Sequence, residues 1–230
     1  MNKVISFSLW GTQRMYLTGA VKNAELREKI YPGWKMRFYT DVRMLGTPEV
    51  RRIIELGCDV LERPACDSYM GLFWRMEIGY DNEVDRFIIR DTDSRINVRE
   101  AAAVKEWEQT GFPLHLMRDH WHWHNVYIMG GMWGAVKNWW PEYKHNLDHY
   151  VQNCCVEKPG KGFWGNDQNF LHQQVWPRFR LNHLCHDDIR RVSRHEQDVK
   201  AELKFRVPLP RKQFVGQVWD ESNKPVFPGA

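Results

Sequence analysis

Apolar runs with strand-like alternation take turns with runs of helical spacing from residue 3 to residue 61, and this order limits the fold more than any other feature. Lys3-Val4-Ile5-Ser6-Phe7-Ser8-Leu9 alternates apolar with small polar residues and stops at Trp10-Gly11, a strand followed by a turn. Met15, Leu17, Ala20, Val21, Ala24, Leu26 and Ile30 recur at helical spacing over residues 13–30, until Tyr31-Pro32-Gly33 breaks the pattern. Residues 34–39 alternate again, residues 48–56 read as a short helix, and Cys58-Asp59-Val60-Leu61 reads as a strand. Strand, helix, strand, helix, strand implies parallel strands with helical crossovers. The fold class is therefore α/β, with a mostly parallel central sheet flanked by helices.

The rest of the chain continues in kind. An amphipathic segment spans Tyr69 to Ile78, and the apolar strand Arg86 to Ile89 runs directly into Arg90-Asp91-Thr92-Asp93-Ser94-Arg95. Residues 98–109 suit a helix and residues 113–117 a strand. An apolar stretch from Val126 to Trp133 is interrupted by Gly130-Gly131, helical signals follow at about 135–151 and 166–175, and residues 179–185 read as a last strand. With 230 residues and no repeat or linker, the expectation is a single domain, 1–230, whose tail (206–230) packs on or near the active site.

Composition narrows the function. Hydrophobic residues at 43% and charged residues at 27% exclude disorder as the main state. No apolar stretch reaches the ~18 residues of a membrane span, and the run Val4 to Trp10 is too short and too polar at its flanks to read as a signal peptide. The net charge of +4 is interspersed rather than gathered into a stripe, which argues against a nucleic-acid partner. Five cysteines without C-x-x-C spacing suggest free thiols in a reducing compartment, so a cytoplasmic location is expected. Cys154-Cys155 has no basic activator beside it.

Asp91-Thr92-Asp93 is the sharpest motif. In an extended segment both carboxylates point to one side and can converge on a hard cation, leaving room for water and phosphate oxygens. The competing reading is a turn whose acids cap the helix near Asn97 and pair with Arg90 and Arg95. His120-x-His122-x-His124 could present three imidazoles to a transition metal, but the interleaved Trp121 and Trp123 suit a polar, aromatic loop over a groove better. Gly130-Gly131-Met132-Trp133-Gly134 offers bare backbone to a ligand or a tight turn. Asn166-Asp167-Gln168-Asn169 could cap a helix or contact sugar hydroxyls.

Together, Trp10-Gly11, Tyr31-Pro32-Gly33-Trp34, Arg90-Asp91-Thr92-Asp93-Ser94-Arg95, His115-Leu116-Met117-Arg118-Asp119-His120, Gly130 to Gly134, Asp167-Gln168 and Phe214-Val215-Gly216-Gln217-Val218 resemble small GT-A-type glycosyltransferases of bacteria and large DNA viruses. The resemblance implies a Rossmann-related GT-A domain, a UDP- or GDP-sugar donor, Mn²⁺ or Mg²⁺, and transfer of a sugar to a hydroxyl of a glycan acceptor. It implies that Asp91 and Asp93 hold the metal with His186 as a third ligand. Asp167 and Gln168, similar to the Asp-Gln pair of glycogenin-like retaining members, would flank the reacting sugar. Trp10, Gly11, Arg90, Asp91, Arg95, Gly130 and Gly131 would contact the donor. No segment matches the family's donor-base pocket, and the resemblance leaves retention or inversion open. Two other classes remain: a haloacid-dehalogenase-like phosphohydrolase, which also has a D-x-D after an apolar strand, and a non-catalytic, Trp-rich carbohydrate-binding module.

Overall fold

The computed structural model describes residues 1–11, 13–153, 165–189, 202–210 and 212–227; Cys154 and Cys155 lie outside the described residues. The strands are β1 (Lys3–Leu9), β2 (Lys35–Asp41), β3 (Asp59–Arg63), β4 (Arg86–Arg90), β5 (Leu114–Arg118), β6 (Met132–Val136), β7 (His183–Asp187) and β8 (Glu202–Leu203). They form one sheet in the order β3-β2-β1-β4-β6-β5-β7-β8. Among the described strands only β6 runs antiparallel, paired on both sides with β4 and β5. The sheet is mostly parallel, as its sequence order implies.

Helices α1 (Arg14–Ile30), α2 (Pro48–Glu55) and α3 (Val98–Glu108) cover one face. They bury Ala20, Val50, Ile53, Val104 and Trp107 against Ile5, Phe7, Leu9, Ile88 and Leu184 of the strands. The other face carries a run of successive 3₁₀ turns (Tyr69–Tyr80), then α4 (Tyr143–Asn153), α5 (Asn166–Phe170) and α6 (Trp176–Phe179). Phe73, Tyr143, Phe170 and Trp176 pack there on Phe87, Ile89, Leu116 and Cys185. Each fully buried side chain of this size contributes about 1.5–3 kcal/mol. Among the described residues no helix is long and apolar enough to cross a membrane.

Two segments depart from their sequence patterns for identifiable reasons. The expected helix from about 135 begins only at Tyr143, because Met132–Val136 becomes the antiparallel strand β6. Gly134 permits this: a Cβ there would run into the Phe87 carbonyl of β4. The amphipathic segment at 69–78 is wound as 3₁₀ turns held down by β1. Ser6 donates to the Arg75 carbonyl at 2.7 Å, and Ser8 accepts from the Arg75 N–H at 2.9 Å. The small polar residues that alternate along β1 thus fix where Arg75 stands.

Candidate active site

A cleft of about 620 Å³ opens at the C-terminal ends of β1 and β4. Parallel strands place ligand sites at this edge of an open sheet. Its walls include Trp10 and Gly11 after β1, Asp91 and Asp93 after β4, Gly130 and Gly131 before β6, and Asp167 and Gln168 on α5. Most of the residues singled out from sequence therefore meet in one place. The capping alternative for the acids does not hold, since Asn97 itself caps α3 and accepts from the N–H groups of Arg99 and Glu100. Helix α5 likewise starts at Gly165 without a side-chain cap, which leaves Asp167 turned inward.

The organising side chain is one that the sequence reading missed. Arg75, only 3% exposed, donates one guanidinium nitrogen to Asp91 and the other to Asp167, the latter at 2.8 Å. Burial opposes its charge, and the two carboxylates outweigh that cost and hold its pKa above the usual value. Burial also pushes Asp167 up, with Arg75 opposing. Asp93 is pushed up to about 7, first by burial and then by the neighbouring Asp91 charge. Tyr16 on α1 faces the same acids, and its hydroxyl is raised by burial, then by Asp93 and Asp91.

Both glycines matter through what they lack. A Cβ at Gly130 would stand 2.6 Å from Asp167 Oδ2, and one at Gly131 would overlap the Asp91 carboxylate. The carboxylates are seated on bare backbone. The tail closes one wall: Ser94 and Val218 form an antiparallel bridge, and the Trp219 N–H donates to the Asp93 carbonyl at 2.8 Å.

Three expected contributors do not reach the cleft, and strand geometry explains the two on strands. Successive residues of a strand point to opposite faces. Arg90 shares the face of Arg86 and Ile88 and lies beneath α3, where its Nε donates to the buried Glu100 at 3.3 Å. His186 shares the face of Leu184. It is fully buried, its Nδ1 is 2.9 Å from His115 Nε2, its Nε2 is 3.5 Å from Glu106 of α3, and its ring faces Phe205. It therefore does not join Asp91 and Asp93, which corrects its assignment as a metal ligand. Arg95 turns to the back of the D-x-D loop, donating to Asn223 Oδ1 at 2.9 Å and to the Ser94 carbonyl at 2.9 Å.

The three imidazoles of the 120–124 loop do not converge either. His124 Nδ1 accepts from the Asp119 and His120 N–H groups, and burial pushes its pKa down to about 3. His120 Nδ1 accepts from the His122 and Trp123 N–H groups. Trp123 and His124 border the cleft, and Trp121 is 61% exposed.

A divalent cation fits the acids. The donors are hard oxygens, and Asp93 bears a charge penalised by burial and by Asp91, which a cation would relieve. Among the described residues no group of three or more His, Cys, Asp or Glu is placed to hold a metal. The protein's share would be two carboxylates, the usual number for an ion that also takes phosphate oxygens.

No protein-family model matches the chain, and no curated protein matches it. Among solved structures, the chain is similar to a glycosyltransferase involved in the glycosylation of the major capsid of PBCV-1. That likeness has 13% identity and a TM-score of 0.51, and it covers 81% of this chain and 82% of the other. Weaker likenesses include a cytidylyltransferase from Leptospira borgpetersenii (9% identity, TM-score 0.44, 88% and 79% covered) and the glucosyl-3-phosphoglycerate synthase of Mycobacterium tuberculosis (9%, 0.41, 66% and 65%). At 13% identity the likeness to the capsid glycosyltransferase is one of fold, and the fold is of the GT-A type.

Proposed function

We infer that the protein is a metal-dependent glycosyltransferase that moves a sugar from a nucleotide-sugar donor to a hydroxyl of a glycan acceptor. The observation that carries this reading is the Asp91–Arg75–Asp167 bridge beside Asp93 at the mouth of β4, in a GT-A fold. Asp91 and Asp93 would hold Mn²⁺ or Mg²⁺, and the ion would offset charge on the departing nucleoside diphosphate. With His186 turned away, an all-oxygen donor set gives no imidazole-based preference for Mn²⁺.

The protein's own groups divide the remaining work. Trp10 and Gly11 border the end of the cleft beyond β1 and would take part of the nucleotide. Gly130 and Gly131 allow close approach of the donor. Arg75 keeps Asp91 and Asp167 at fixed places, and Gln168 offers an amide to a sugar hydroxyl. Asp167, paired with the Arg75 guanidinium, would either take the acceptor's proton or stabilise positive charge at the anomeric carbon, according to stereochemistry. The free thiols of Cys58, Cys66 and Cys185 support a reducing compartment, the cytoplasm.

The test is a panel of UDP- and GDP-sugars assayed for nucleoside diphosphate release with Mn²⁺, with Mg²⁺ and with chelator. Release that needs a cation and falls at least about a hundredfold in Asp93→Asn is the expected result. Turnover of a phosphomonoester instead would establish the phosphohydrolase, and cation-independent glycan binding without donor turnover would establish the carbohydrate-binding module.

A further inference from the structure

The cleft is bordered by an indole at each end. Trp10 follows β1 and Trp123 follows β5, two parallel strands with β4 and β6 between them in the sheet. Three steps across the sheet set these strand ends about 14 Å apart. Asp91 and Asp93 follow β4, and Asp167 stands against Gly130 just before β6, so in strand order the acids lie between the two indoles. Trp10 is packed edge-on to Tyr69, with ring centroids 5.9 Å apart. Trp123 is 42% exposed.

The loop that carries Trp123 is held from within. The His124 N–H donates to the His120 carbonyl at 2.9 Å, and the two imidazoles accept from the N–H groups of Asp119, His120, His122 and Trp123. Phe214 of the tail packs on both imidazoles, with centroids 4.3 and 5.5 Å apart. The histidines are spent on fixing the turn, and the turn sets Trp123 at the cleft wall.

We propose that Trp123 is the platform on which the acceptor sugar rests and that this acceptor is uncharged; the proposal rests on the transferase reading. An indole offers a rigid apolar face to the C–H face of a sugar ring and leaves the ring's hydroxyls free to reach Asp167. Charge sets the class of acceptor. Among the described residues that border the cleft, the acidic and basic side chains are Asp67, Arg75, Asp91, Asp93 and Asp167, besides His124, which burial keeps neutral. The one cation, Arg75, is taken by Asp91 and Asp167. A phosphate or carboxylate on the acceptor would therefore meet like charge.

Nucleoside diphosphate release from the UDP- or GDP-sugar that the protein turns over tests this. The acceptors are the methyl α-glycosides of glucose, galactose, mannose and N-acetylglucosamine, each beside its α-1-phosphate, which keeps the same ring hydroxyls. A neutral glycoside should stimulate release at least about tenfold more than its 1-phosphate at equal concentration. Trp123→Ala should raise the acceptor KM about tenfold with kcat within about threefold, as loss of binding shared by ground and transition states does, and the Kd of UDP with Mn²⁺ should stay within about twofold by calorimetry. Trp123→Phe, which keeps an aromatic face, should recover most of the loss. Trp121→Ala, on the same turn and 61% exposed but outside the cleft wall, should leave the acceptor KM unchanged. The proposal alone is overturned by an unchanged acceptor KM in Trp123→Ala, by an equal rise in Trp121→Ala, by a 1-phosphate preferred to its neutral parent, or by release that none of the neutral glycosides stimulates. If no nucleotide sugar is turned over, the transferase reading fails and takes this proposal with it.

Discussion

Arg75 and Arg90 are both buried arginines paired with carboxylates, and they lie on opposite faces of the same sheet. Arg90 is closed in: Glu100 accepts from its Nε and the Ile89 carbonyl from its Nη1, and the hydroxyl of Tyr31 also binds Glu100 at 3.2 Å. Arg75 grips Asp91 and Asp167, two acids that border open space. Charges that satisfy each other beneath α3 hold the helix to the sheet. Charges that meet at the cleft are left facing a ligand. Burial and pairing alone do not separate structure from function; what lies beyond the paired group does.

The strongest break in this comparison is to remove each guanidinium. Arg75→Met and Arg90→Met should each cost about 3–5 kcal/mol, because each strands a buried carboxylate, and urea unfolding measures this. Their activities should then diverge. Donor turnover per folded molecule should fall by about two to three orders of magnitude in Arg75→Met and stay within about twofold in Arg90→Met, as expected for a positioned cation against a remote one. Equal losses of turnover would show that the α3 face is part of the site.

Two glycines sharpen the contrast at lower cost. Gly131→Ala places a methyl against the Asp91 carboxylate and should lower cation-dependent turnover about tenfold while the melting temperature changes little. Gly134→Ala drives a methyl into the β4 backbone and should cost about 1–3 kcal/mol of stability, with turnover per folded molecule preserved. Reversed outcomes would mean that β6, not the loop before it, shapes the cleft.

The sequence announced the order of strands and helices because periodicity reports which face of each segment is buried. It announced Asp91 and Asp93 because polar residues directly after an apolar strand fall at the sheet edge. Arg90 was misplaced although the information was present: it adjoins Asp91 in an extended segment, so the two side chains must diverge. His186 was displaced by the same alternation, since its neighbour Cys185 lies on the cleft side of the sheet. Arg75 was visible only as a lone cation in the apolar run Leu72-Phe73-Trp74-Arg75-Met76. Its partners, 16 and 92 residues further on, are contacts that no local pattern reports.

The smallest expected effect concerns His115 and His186, the imidazoles of the closed face. Burial holds both below the usual histidine value. For His115 the charges of His186, Arg90, Arg86 and His183 add to this, and for His186 Glu106 opposes while Arg206 assists. The folded state therefore resists protonation while the unfolded chain takes up protons near pH 6.5, so stability is full above that pH and declines as pH falls below it. Each ring that stays neutral should contribute a loss of about 1.4 kcal/mol between pH 7.5 and 5.5. His186→Asn should then show a shallower decline than the wild type, by about 1 kcal/mol over the same interval in urea titrations. The affinity for Mn²⁺ should be the same in both proteins at pH 7.5, because the ring faces Glu106 and His115 rather than the acids of the cleft. A loss of Mn²⁺ affinity in His186→Asn would return this histidine to the metal site.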